Sequence, residues 1–138
     1  MRGRGYFAAR RLALACGCAL LAACFAPTGT SAQTSNPVLI GTDGTVRHHN
    51  AYVINLRFAT GGKVTSIPAG TYTFVIHDYS KIHNFALGSQ TQNVRLFTTG
   101  IRWRGTKRYT LDLTPGTYAY ACSAHFQTMN GTFVVTGT

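Results

Sequence analysis

From Val38 onward, apolar and aromatic residues alternate with polar ones in short runs, a period of two that suits pleated strands with one buried face. In Tyr52–Phe58, Tyr52, Ile54, Leu56 and Phe58 share one face, and Val53, Asn55 and Arg57 the other. Tyr72, Phe74 and Ile76 do the same within Thr71–His77, and Tyr109, Leu111 and Leu113 within Tyr109–Leu113. Thr117–Cys122 and Thr132–Thr136 read as further strands, with Val38–Gly41, Lys63–Ile67 and His83–Leu87 as shorter ones. Turn signals punctuate them at Thr60-Gly61-Gly62, Pro68-Ala69-Gly70, Pro115-Gly116 and Asn130-Gly131. Gly88–Gly105 reads as a long loop. No segment sustains a helical period, and the chain has no Glu, a residue on which helical surfaces lean. The expectation is an all-β domain, an antiparallel sandwich or barrel.

The 138 residues allow one ordinary domain, and 45% hydrophobic content is more than a disordered chain carries. The charge is uneven. Arg2, Arg4, Arg10 and Arg11 precede an apolar run, Leu12 to Ala23, which is shorter than the about 20 residues a membrane-spanning helix needs. That pattern fits a secretory signal peptide over residues 1–32. Two processing readings stand side by side. Thr30-Ser31-Ala32 offers a cleavage site before Gln33, and Leu21-Ala22-Ala23-Cys24 resembles a bacterial lipoprotein signal in which Cys24 carries the lipid anchor. Either reading exports the protein to the periplasm or beyond. Residues 33–37 then form a flexible leader, and 38–138 the folded domain. Without the first 32 residues the 13 Lys and Arg fall to 9 while the 3 acids remain, so the net charge drops from +10 to +6.

The folded region holds a single cysteine, Cys122, so an exported domain has no internal disulfide and one thiol in an oxidising compartment. His125 and Met129 follow it in the segment that separates two strands. A thiolate, an imidazole and a thioether within eight residues can close around one ion. One further ligand would complete a His₂Cys set with a weak axial Met, which suits type 1 copper. The available histidines are His48, His49, His77 and His83, and His83 is the best placed, shortly after the strand ending at His77.

The phrase His83-Asn84-Phe85-x-Leu87, followed by Tyr120-x-Cys122-x-x-His125-x-x-x-Met129-x-Gly131-x-Phe133-x-Val135, resembles the cupredoxins, the plastocyanin and azurin type of small blue copper protein. The likeness spans roughly residues 38–136. It implies a Greek-key β-sandwich (cupredoxin-like) with one type 1 copper ion near one end. It also implies His83, Cys122 and His125 as strong ligands, Met129 as the axial ligand, and Asn84 as a brace on the cysteine loop. The exposed edge of His125 would be the electron port, beside Ala124 and Phe126. The expected function is that of an exported one-electron carrier, not an enzyme, acting as a monomer on a redox protein partner.

The remaining features weigh less. Adjacent His48 and His49 point apart on a strand and are ordinary polar surface in a loop. Tyr118 and Tyr120 share the Cys122 face and read as packing. The basic cluster Arg102–Arg108 around Trp103 would steer an acidic partner or an anionic membrane surface, where plastocyanins often present acidic patches instead. Nucleic-acid binding has no support beyond that charge. A serine hydrolase lacks its Gly-x-Ser-x-Gly turn, and a multicopper oxidase needs many more histidines. The alternative function is a periplasmic copper carrier or store using the same ligands. A bare interaction module ranks last, since this ligand set suits zinc poorly.

Overall fold

The computed structural model describes residues 35–137, so the signal peptide, both processing sites, Cys24 and the first two residues of the leader lie outside the described residues. Nine strands follow one another: β1 (Val38–Asp43), β2 (Ile54–Phe58), β3 (Ser66–Pro68), β4 (Gly70–Asp78), β5 (Ala86–Ser89), β6 (Val94–Thr98), β7 (Gly105–Leu113), β8 (Gly116–Ala121) and β9 (Asn130–Thr136). They form two sheets, ordered β2-β1-β4-β7 and β3-β9-β8-β5-β6. Consecutive strands change sheet repeatedly, which is the Greek-key habit. Both sheets are mixed, because β1 runs parallel to β4 and β3 parallel to β9. No helix occurs among the described residues. The all-β sandwich expected from the alternation is the architecture found.

The period-two faces make the core. Leu39, Leu56, Phe74 and Ile76 from one sheet meet Leu87, Tyr118, Tyr120 and Phe133 from the other, all buried. The Phe97 ring of β6 stacks on Tyr109 of β7 at 4.0 Å between centroids, joining the sheets at one margin. Tyr118 and Tyr120 are packing residues, as expected. Tyr118 stacks on Phe133 and Tyr120 on Phe85, and the Tyr118 hydroxyl donates to the Thr114 carbonyl at 2.9 Å.

Four expectations shift. Gly88–Gly105 is not all loop, since Val94–Thr98 forms the edge strand β6. Only Phe97 of that strand is buried, so its alternation is hidden by exposed Val94, Arg95 and Thr98. The Tyr109–Leu113 strand begins earlier, at Gly105, so that Lys107 and Arg108 lie in β7, at the edge of the other sheet, where charges discourage edge-to-edge pairing. The Tyr52–Phe58 run becomes a strand only at Ile54, and Tyr52 leaves the core face to lie 58% exposed. Asn130-Gly131 is no turn. Both residues open β9, and a Cβ on Gly131 would sit 2.3 Å from the Tyr120 hydroxyl oxygen. This glycine is needed for the close approach of a core ring, not for backbone freedom. Gly131→Ala must push Tyr120 off its position against Phe85, and such overpacking costs typically about 1–3 kcal/mol. A lower urea midpoint at unchanged m-value is the expected result.

Candidate metal centre

Strand direction gathers three loops at one end of the sandwich. β1 and β4 both finish there, at Asp43 and Asp78, while β5 leaves from there at Ala86, paired with Ala121 at the end of β8. The β1–β2 loop (44–53), the β4–β5 loop (79–85) and the β8–β9 loop (122–129) therefore share that end.

The β8–β9 loop is closed at its base, where the Cys122 N–H donates to the Met129 carbonyl at 3.0 Å. Inside it the His125 N–H donates to the Cys122 carbonyl at 3.1 Å, and the Met129 N–H to the His125 carbonyl at 2.8 Å. The three-residue step of the first turn puts Cys122 Sγ 3.5 Å from His125 Nδ1. The Asn130 side-chain amide donates to the Phe126 carbonyl at 2.6 Å and fastens the far side of the loop. Met129 is wholly buried.

His83 arrives from the β4–β5 loop. Its Nε2 lies 3.2 Å from the Asn50 carbonyl oxygen, which can only accept, so Nε2 carries the proton and Nδ1 keeps its lone pair. That Nδ1 sits 3.0 Å from His125 Nδ1 and 3.9 Å from Cys122 Sγ. The donor atoms of His83, Cys122 and His125 all lie within 4.8 Å of one another. Two imidazole nitrogens and a thiol sulfur turned toward one point suit a late transition metal better than a hard cation. His83 and Cys122 are fully buried, and His125 is half-buried.

Asn84 joins two of the loops. Its Oδ1 accepts the Ser123 N–H at 2.8 Å, and its Nδ2 donates to Ser123 Oγ at 3.1 Å, Thr98 Oγ1 at 2.8 Å and the Thr99 carbonyl at 3.2 Å. The bracing role implied by the resemblance thus has its hydrogen bonds. The third loop was not legible as part of the site. Asn50 fixes the His83 tautomer, and Tyr52 packs edge-on against His83 and His125 at 4.9 and 4.8 Å between centroids. The only signal for Tyr52 was an aromatic residue just ahead of a strand, which alternation assigned to the core.

The other histidines stand apart from this cluster. His48 and His49 are exposed, and Arg104 donates to His49 Nδ1 at 3.0 Å. His77 sits one residue from the end of β4, bonded to Thr106 and stacked on Tyr79. Lys107 lies over the Trp103 ring at 4.5 Å.

Behind His83, Asp43 and Asp78 are buried opposite each other in the parallel register. Burial, then the Asp78 charge, then a hydrogen bond to Asp78 push the Asp43 carboxyl up from 3.8 to about 8. Burial raises Asp78 as well, against opposing hydrogen bonds from Thr99, Asp43 and Ser80.

The site and the sandwich together have the form of a cupredoxin-like fold. No protein-family model and no curated protein sequence matches the chain. Among solved structures it is similar to rusticyanin, described as a copper protein, with a TM-score of 0.52 and 18% identity over 73% of this chain and 79% of that one. Reduced rusticyanin gives a TM-score of 0.52 and 18% identity over 73% of this chain and 81% of that one. A likeness at that identity is one of fold.

Two outcomes follow from this geometry. Asn84→Ala removes the bonds that hold the cysteine loop to the histidine loop. Outer-shell losses of this kind typically cost about 10–100-fold in metal affinity, read by chelator competition. The raised Asp43 carboxyl makes the folded state bind more protons than the unfolded state between pH 3.8 and about 8. Its stabilising contribution is complete below 3.8 and is lost as pH rises toward 8. Urea midpoints should fall from pH 5 to pH 8, and Asp43→Asn should flatten that slope.

Proposed function

We propose that this chain is an exported mononuclear type 1 copper protein that carries single electrons between protein partners. The observation that carries this reading is the convergence of His83 Nδ1, Cys122 Sγ and His125 Nδ1 from two loops tied by Asn84. These three would hold the ion, with the buried thioether of Met129 as a further, weaker ligand. Copper, when bound, supplies the one-electron couple between Cu(I) and Cu(II). The protein's part is to keep the ligands still. The Asn50 carbonyl orients His83, the loop turns orient His125, and Asn84 holds the strand end that carries Cys122. Ligands that need not move lower the reorganisation that accompanies electron transfer. No substrate bond is made or broken, so the reading is not enzymatic.

His83 is sealed in, whereas His125 is half-buried and flanked by Tyr52, Ala124 and Phe126, with Phe126 62% exposed. A partner seated on this small apolar face lies nearest the centre, and transient electron-transfer contacts need little area. Around it the same loops carry exposed Arg47 and Lys81, and Arg104 is attached to His49. The two acids near this end, Asp43 and Asp78, are buried. An acidic redox protein is the partner this rim suits, attracted over distances that salt screens. The apolar run 12–23 behind its arginines supports export to the periplasm, with Cys24 as the residue a lipid anchor would use.

Cu(II) added to the purified protein should give an intense thiolate-to-copper absorption that Cys122→Ser abolishes. The absence of that band in the parent protein would sink the electron-carrier reading. For the partner, Lys81→Glu should slow electron exchange with an acidic redox protein several-fold at low salt, with the difference shrinking as salt rises. A rate indifferent to salt would remove the acidic partner.

A further inference from the structure

The whole chain has three carboxylate side chains, and two of them are buried side by side behind the ligand loops. Asp43 closes β1 and Asp78 closes β4, opposite each other. Beyond them lie Ile54 of β2, opposite Asp43, and Gly105 of β7, opposite Asp78, neither of them charged. The titratable groups facing Asp78 are His83 from the ligand loop and Tyr109 from β7, and Arg104 borders the shallow depression next to it.

The two carboxyls are not equivalent. Among the described residues the Asp43 oxygens have no hydrogen-bond partner of good geometry, and the Ser80 N–H, which is near enough to lower the Asp43 carboxyl, is directed at Asp78. A buried carboxylate in that position is costly, whereas a carboxylic acid there has its own O–H to give to the facing carboxyl. Asp78 instead accepts from both sides of the site. The Ser80 N–H donates to Oδ1 at 3.2 Å, and Thr99 Oγ1 donates to Oδ2 at 2.7 Å. Ser80 Oγ in turn accepts the His83 N–H at 3.2 Å and donates to Asn50 Oδ1 at 3.0 Å. Thr99 Oγ1 accepts the Phe85 N–H at 2.8 Å, and the Thr99 carbonyl accepts from Asn84.

We propose that Asp43 and Asp78 act as one unit, an acid donating its proton to a carboxylate, and that this unit positions the metal centre. Asp43 is a positioning residue that keeps Asp78 singly charged and in place. The two Asp78 oxygens hold Ser80 and Thr99. Ser80 sets the backbone at His83 and, through Asn50, its ring. Thr99 sets Asn84, and through Asn84 the loop of Cys122. Two like-charged carboxylates cannot both ionise at such close range, so the pair carries one negative charge at neutral pH.

The inference rests on the copper reading only where copper is the readout, and the first arm of the test needs no metal. With so few carboxyls in the chain, the infrared spectrum of the metal-free protein at pH 6 should show one protonated carboxyl band that Asp43→Asn removes. The absence of that band in the parent protein overturns the shared proton. The second arm compares two replacements of similar size. Asn at position 43 still donates to Asp78, and Leu does not. In metal-free protein, amide exchange at His83 and Phe85 should stay near the parent rate in Asp43→Asn and rise about tenfold or more in Asp43→Leu. With Cu(II) bound, affinity should likewise persist in the first and fall about 10–100-fold in the second, the usual range for outer-shell partners. Asn and Leu variants that behave alike in exchange overturn the positioning role. If the parent protein takes up no copper, the functional reading fails while the infrared and exchange arms still decide this one.

Discussion

Everything at the ligand end depends on one side chain that belongs to neither sheet. Asn84 spends its amide on Ser123, Thr98 and Thr99, and so ties the loop that delivers His83 to the loop that delivers Cys122 and His125. The sheets cannot do this by themselves. β5 and β8 are paired only as far as Ala86 and Ala121, and beyond that rung the two loops have no common ladder. A flexible loop brought to a partner loses conformational entropy that a few directed bonds must offset. An amide is suited to this because it donates and accepts in one plane, and the Ser123 backbone and hydroxyl use both functions.

The electrostatics of the domain follow from the same economy of acids. Asp112 is exposed on β7 and bonded to Thr71, while Asp43 and Asp78 are withdrawn from solvent. Withdrawing them has two effects. The surface near the His83, Cys122 and His125 cluster is left to Arg47, Lys81 and Arg104. The interior behind His83 receives a polar pair, expensive to bury unless each group has a counterpart. Ser80 and Thr99 provide that for Asp78, and only a proton can provide it for Asp43. A stability that favours acid is the thermodynamic trace of this arrangement.

The strands and the clustering of His83, Cys122 and His125 were legible in the sequence for different reasons. Alternation reveals a strand when one face is buried along its length, as in β4 and β8, and conceals it when a single residue is, as Phe97 is in β6. Cys122 and His125 were readable because the loop that holds them is short and its chemistry contiguous. His83 was readable through its neighbours Asn84 and Phe85. What could not be read is contact between segments remote in sequence. Asn50 and Tyr52 touch His83 from across the sandwich end, and the Asp43–Asp78 pairing exists only because β1 and β4 run parallel in that register. The same limit misplaced Gly131, whose neighbour in space is Tyr120.

Tyr52 shows how the third loop completes the centre. An aromatic ring half in solvent gains less from burial than one in the core, yet here it meets two imidazole faces edge-on. It packs equally closely on both rings, and Asn50 of the same loop bonds to His83. That loop also carries Arg47, His48 and His49 on its exposed side. One segment thus packs on both histidines, fixes the tautomer of His83 and carries positive charge on its exposed side. A change in its length would alter access, docking and the His83 tautomer together, even though it contributes no ligand.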